Sequence, residues 1–164
     1  MFIELKNVFE NEGTSLPLSA LIDLSDVEQR GQKLFVTPVS VTGEFQNKLG
    51  VVSIQATAQF TYRAPCDRCA EIVERNYTVP IVHGLVTQLN DEDNDDFLVV
   101  ENMRLDVDEL VRSDVLLSLP TKFLCKKDCK GLCAKCGANL NLGACQCKKE
   151  VDPRLSALLE LMGE

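Results

Sequence analysis

Six of the eight cysteines fall within residues 124–147, LCKKDCKGLCAKCGANLNLGACQC, and this density constrains the chain more than any other feature. Cys133-x2-Cys136 is followed by Cys145-x-Cys147. Close pairs of this kind suit a tetrahedral metal ion, because a short turn aims two thiolates at one point. Gly137, directly after Cys136, lets the backbone reverse there without a Cβ penalty. Cys125-x3-Cys129 offers a looser pair, and the distant Cys66-Asp67-Arg68-Cys69 has the two-residue spacing again. The eight cysteines therefore divide into two groups of four, and the expected cofactor is zinc, two ions per chain. Cys66, Cys69, Cys125, Cys129, Cys133, Cys136, Cys145 and Cys147 are the candidate ligands.

The compartment follows from the same residues. Residues 1–13 carry Glu4 and Lys6 inside what would have to be an apolar run, so no secretory leader is read there, and no stretch reaches the length of a membrane span. A cytoplasmic, reducing setting is expected, in which dense cysteines are better explained by metal than by disulfides.

With 164 residues the chain can bury an ordinary core as one compact domain. The β signal is strongest in the middle. Val39, Val41 and Phe45 share one parity, and Val52, Ile54, Ala56, Ala58, Phe60 and Tyr62 then alternate strictly. After Cys66 and Cys69 the apolar face resumes on odd positions at Val73, Tyr77, Val79, Ile81 and Leu85, as two strands of a hairpin require. The first cysteine pair thus sits at a hairpin tip. Pro80 marks an edge or a bulge.

Elsewhere the signals are shorter. Residues 2–9 read as a strand, 16–24 alternate as well but Ser25-Asp26-Val27-Glu28 could begin a helix turn, so that stretch stays ambiguous, and 97–100 read as a short strand. Asp106-x-x-Glu109 opens a helix that Pro120 ends, so one long helix is expected over about 106–119. Asp152-Pro153 starts a short C-terminal helix with Leu155, Leu158, Leu159 and Met162 on one stripe. The expected fold is α+β: an antiparallel β-rich core, either an open barrel or a sandwich-like sheet, over residues 1–121, a zinc knuckle over 122–150 and the last helix over 151–164.

Charge divides the chain. The total is 17 − 25 = −8, which is not the footprint of a protein that coats nucleic acid. Nine aromatics without tryptophan also argue against a base-stacking platform. Yet residues 122–149 hold seven lysines, Lys122, Lys126, Lys127, Lys130, Lys135, Lys148 and Lys149, against Asp128 alone. A four-thiolate zinc site keeps a charge of about −2, so one site in this stretch leaves a positive surface and a shared second site lowers it further; the other reading is that the lysines only compensate the thiolates and keep the segment soluble. Residues 85–114 are the opposite, with ten acids against Arg104 and Arg112. Within them, Asp91, Asp93 and Asp95 are spaced like the first ligands of a calcium loop, but Asp96 and Asn102 replace the glycine and glutamate that such a loop needs, so a solvated acidic loop is read instead.

Catalysis finds little support. His83, the single histidine, shares the inner parity of Ile81 and Leu85 and reads as a packed side chain. Cys66-x2-Cys69 as a thiol oxidoreductase pair would belong at a strand-to-helix junction, whereas here it joins two alternating strands.

The cysteine-rich segment followed by Asp152-Pro153-Arg154 and its leucines resembles the C-terminal signature of the YceD family, proteins implicated in accumulation of the large-subunit ribosomal RNA. The resemblance runs over the whole chain, including the β-rich middle with Cys66 and Cys69 and the helix ending in Leu119-Pro120. Ala134 departs from it, since relatives often carry proline there. Many proteobacterial relatives keep the first pair without most of the later cysteines, which favours pairing Cys66 and Cys69 with Cys125 and Cys129. The resemblance implies a noncatalytic zinc-binding factor in ribosomal-RNA processing and ribosome biogenesis. The expected partner is ribosomal RNA or a large-subunit assembly intermediate, reached directly or through a protein, with neither a membrane nor a small-molecule substrate. Lys126, Lys127, Lys130, Lys135, Lys148 and Lys149 are the RNA-binding candidates. The rival reading is a zinc-stabilised adaptor acting outside the ribosome.

Overall fold

The computed structural model describes residues 1–29, 31–88 and 97–147. The acidic loop, Lys148, Lys149 and the C-terminal helix expected at 151–164 lie outside the described residues.

Three long strands make the frame: β5 (Val39–Lys48), β6 (Val51–Pro65) and β7 (Ile72–Val86). Their alternation buries Val39, Val41, Phe45, Ile54, Ala58 and Ile81 on one face. With β2 (Ser15–Ile22) and β8 (Phe97–Val99) they form a five-stranded sheet in the order β2-β5-β6-β7-β8, curled into a half-barrel. β5 and β6 approach closely at Gly43. A Cβ on Gly43 would lie 2.3 Å from the carbonyl oxygen of Gln55, so only glycine permits that approach. Pro80 faces Thr57 in unbroken register, and β7 pairs with β8 only over residues 84–86, so the proline lies on a free edge.

Three elements differ from the sequence expectation. Residues 2–9 are not one strand: β1 (Phe2–Glu4) gives way to a short helix α1 (Lys6–Glu10). Leu5 and Val8 are both buried, and their i, i+3 spacing serves one helical face although Ile3 and Leu5 mimic alternation. The sheet is not wholly antiparallel either. β8 runs parallel to β7, in the register Gly84↔Phe97, so that the Phe97 ring covers Gly84. Finally, the segment after 24 is a turn leading into a two-residue pair, β3 (Glu28–Gln29) with β4 (Gln32–Lys33), and no helix.

After β8 a single 3-10 turn (Glu101–Met103) leads to β9 (Arg104–Asp106), which pairs with β1. The helix α2 (Val107–Ser118) follows. It falls within the expected bounds of about 106–119, but with twelve residues it is of ordinary length and not the long helix expected. Asp106 is its N-cap, accepting from the amide of Asp108, and Leu119 is extended, as the residue before a proline tends to be. Val107, Val111 and Val115 join the concave sheet face in one contiguous core with Leu5, Val8 and Phe35. Among the described residues no helix is long and apolar enough to cross a membrane.

Candidate metal centre

The β6–β7 hairpin carries Cys66 and Cys69 past the end of the core. Its turn is closed twice: the Ala70 amide donates to the Cys66 carbonyl at 2.8 Å, and the Cys66 amide to the Glu71 carbonyl at 2.8 Å. Cys133 to Ala138 repeats this pattern. There the Gly137 amide donates to the Cys133 carbonyl at 2.9 Å, and the Cys133 amide to the Ala138 carbonyl at 2.8 Å. Both turns place a left-handed residue after the second cysteine, Gly137 at φ 70° and Ala70 at φ 58°. Glycine takes that conformation freely, whereas alanine is held in it by the flanking hydrogen bonds.

The chain returns to the hairpin after α2. Phe123 is buried, its ring 5.1 Å from that of Tyr62, with the Arg75 guanidinium 5.1 Å above it. The Asp67 amide donates to the Phe123 carbonyl at 2.9 Å, and the Phe123 amide to the Asp67 carboxylate at 2.7 Å. Arg75 also donates to the carbonyl oxygens of Leu124 and Cys125. These contacts deliver Cys125 and Cys129 to Cys66 and Cys69.

Two tetrads result. In each, Cys66, Cys69, Cys125 and Cys129 on one side and Cys133, Cys136, Cys145 and Cys147 on the other, the four sulfurs lie within 4.8 Å of one another and can hold a metal ion. In the first, Cys66 Sγ is 3.8 Å from Cys129 Sγ and Cys69 Sγ is 3.6 Å from Cys125 Sγ. Sulfurs bonded to zinc at about 2.3 Å sit at the corners of a tetrahedron with edges of about 3.8 Å, so the donor set fits that ion. All eight thiols are free, and these separations are far beyond a disulfide bond of about 2.05 Å.

The tetrads differ in exposure. Cys66, Cys69 and Cys129 are buried, while Cys136 is exposed and its three partners are half-buried. Their protons are held unevenly. Burial pushes the Cys66 thiol up, but the backbone amides of Cys125, Arg68 and Cys69 outweigh it and bring it down to about 6. The amides of Cys136 and Lys135 bring Cys133 to about 6. Burial, with Cys129, Cys69 and Cys66 close by, drives Cys125 up to about 12, and Cys136 followed by burial does the same to Cys147. Each tetrad thus combines a thiol held well below its ordinary value with one held well above it.

Lys126, Lys127 and Lys130 are exposed around the first tetrad, and Lys135 is exposed within the second turn. His83 lies on the inner face as its parity requires, yet it is more than a packed side chain: Nε2 meets Asp114 Oδ2 of α2 at 2.7 Å. The sequence also conceals Asp67, Arg68, Arg75 and Phe123, whose partners are 48 or more residues away.

A curled sheet whose longest hairpin ends in one cysteine tetrad, with a second tetrad beside it, defines a β-rich protein with a cysteine centre able to hold two metal ions. The chain belongs to the YceD family: the family model described as large ribosomal RNA subunit accumulation protein YceD matches residues 54–162. It is 28% identical over 130 residues to the uncharacterized protein YlbN of Bacillus subtilis (strain 168), covering 77% of this chain and 76% of that one. It is 40% identical over 50 residues to the chloroplastic large ribosomal RNA subunit accumulation protein YCED homolog 1 of Arabidopsis thaliana, which is 30% of this chain and 16% of the plant protein. The uncharacterized Rv2926c of Mycobacterium tuberculosis (strain ATCC 25618 / H37Rv) is 28% identical over 104 residues, 60% of this chain and 49% of that protein. No solved structure matches the chain.

Proposed function

We propose that the chain is a noncatalytic, zinc-binding factor of the cytoplasm that acts in accumulation of the large-subunit ribosomal RNA, with its cysteine lobe as the contact surface. The observation that carries this reading is the juxtaposition of exposed lysines with the two tetrads at one end of a chain of net charge −8 in the YceD family. Each tetrad takes one zinc ion as a structural centre: four thiolate ligands leave no open position for a substrate or a reactive water. The described lysines, together with Lys148 and Lys149, then meet phosphates as point charges.

Salt titration tests the contact. Binding to large-subunit ribosomal RNA is expected to weaken with a log–log slope of roughly −0.7 to −0.9 per phosphate contacted. Replacing Lys126, Lys127, Lys130, Lys135, Lys148 and Lys149 by glutamine flattens that slope while zinc content stays the same. Equal slopes in parent and variant, or no RNA binding in low salt, contradict direct contact and leave a protein partner as the route to the ribosome.

A further inference from the structure

The two tetrads are not independent lobes. Asn141 belongs to the segment between Cys136 and Cys145 of the second tetrad, yet its Nδ2 donates to Cys129 Sγ of the first at 3.3 Å. Its side chain is held on both atoms. Nδ2 also donates to Asn139 Oδ1 at 2.9 Å, and Oδ1 accepts from the Lys130 amide at 2.9 Å. The Asn141 amide donates to the same Asn139 oxygen at 3.0 Å, and the Leu140 amide to the Gly131 carbonyl at 2.9 Å.

Arg68, inside the first cysteine turn, makes a second link. Its Nη1 donates to the Cys129 carbonyl at 2.8 Å, and its own carbonyl accepts from the Leu132 amide at 3.1 Å. The approach is close enough that a Cβ on Gly131 would lie 3.0 Å from that carbonyl oxygen. The second tetrad is thus folded against the first.

We propose that Asn141 is an outer-shell residue of the first metal centre and is held in place by the second, so that the two ions bind with positive coupling. An N–H aimed at a metal thiolate offsets negative charge at the sulfur and fixes its direction, and groups of this kind typically change metal affinity by about 10–100-fold. Residues 137–144 have little apolar core of their own, and Leu142 is 88% exposed. Besides the hydrogen bonds to Lys130, Gly131 and Cys129, what fixes them is the closure of the chain between Cys136 and Cys145. An ion in the second tetrad therefore orders Asn141 against Cys129, and by linkage an ion in the first tightens the second by the same factor.

The inference rests on the metal-centre reading above, and cobalt(II) separates the two. The full-length chain is titrated with cobalt(II) against a chromophoric chelator, following the thiolate-to-cobalt absorption. Cys136→Ser is expected to retain one ion and to bind it about 10-fold or more weakly than the parent binds its tighter ion. Asn141→Asp keeps the acceptor for the Lys130 amide but loses the N–H, and Asn141→Leu loses both the N–H and the acceptor without adding charge. Both are expected to keep two ions and weaken the first site to a similar extent, and adding either to Cys136→Ser causes little further loss. First-site affinity within twofold of the parent in Cys136→Ser or in Asn141→Leu overturns the proposal, as do effects that simply multiply. No cobalt uptake by the parent instead overturns the metal-centre reading itself.

Discussion

Phe123 stands edge-on to Tyr62, their rings 5.1 Å apart and 87° inclined, and this contact joins the cysteine segment to the aromatic end of the sheet. Phe35, Phe60 and Tyr77 extend the cluster behind Tyr62. Phe123→Ala removes a buried ring and is expected to cost about 3–5 kcal/mol of stability. In thermal melts its midpoint falls, and in metal-free protein Cys66 and Cys69 react faster with an alkylating reagent than in the parent. Unchanged alkylation would mean that the backbone bonds to Asp67 suffice to dock the segment.

The tight turn between β5 and β6 holds a local conflict. Leu49 and Gly50 connect the paired residues Lys48 and Val51, both with positive φ, 54° and 81°. Glycine suits this turn, but a left-handed leucine costs about 1–2 kcal/mol. Because Leu49 is 89% exposed, its side chain contributes little packing in return. Leu49→Asn is expected to raise stability by about 0.5–1 kcal/mol, seen as a higher melting midpoint. A lower midpoint would show that Leu49 has a packing role.

Much of the sheet is legible in the sequence because β5, β6 and β7 alternate over ten or fifteen residues, long enough for parity to separate inner from outer face. The two cysteine turns are legible as well, since a spacing of two residues already implies their geometry. Short elements are not. In α1, Leu5 and Val8 satisfy a helix and nearly satisfy a strand, and only tertiary burial decides. The parallel pairing of β8 involves only three residues, too few to carry a periodic signal. Within the candidate centre, Arg68 and Asn141 are uninformative residue types in isolation, and their roles depend on backbone carbonyls and sulfurs brought from 61 and 12 residues away.

The uneven protonation of the tetrads sets a pH dependence. In metal-free protein Cys66 and Cys133, lowered to about 6 from an ordinary value of 9.0, contribute stability that is full above 9.0 and lost as pH falls through about 6. Cys125 and Cys147, raised to about 12, act in the opposite sense: their contribution is full below 9.0 and lost as pH rises toward about 12. A metal requires all four thiols of a tetrad deprotonated, so its affinity rises with pH and falls most steeply once Cys66 and Cys133 are also protonated. Chelator competition at pH of about 5, 7 and 9 is expected to show monotonic tightening, with proton release on binding at neutral pH. Affinity independent of pH would exclude the thiols as ligands.

Elemental analysis of the full chain purified without chelator tests the central claim most directly. Two tetrads whose sulfurs lie within 4.8 Å of one another are expected to hold two zinc ions per chain, falling to one in Cys136→Ser. A parent chain with no zinc, or with two ions retained in Cys136→Ser at undiminished affinity, would contradict the assignment of these eight cysteines to two metal centres.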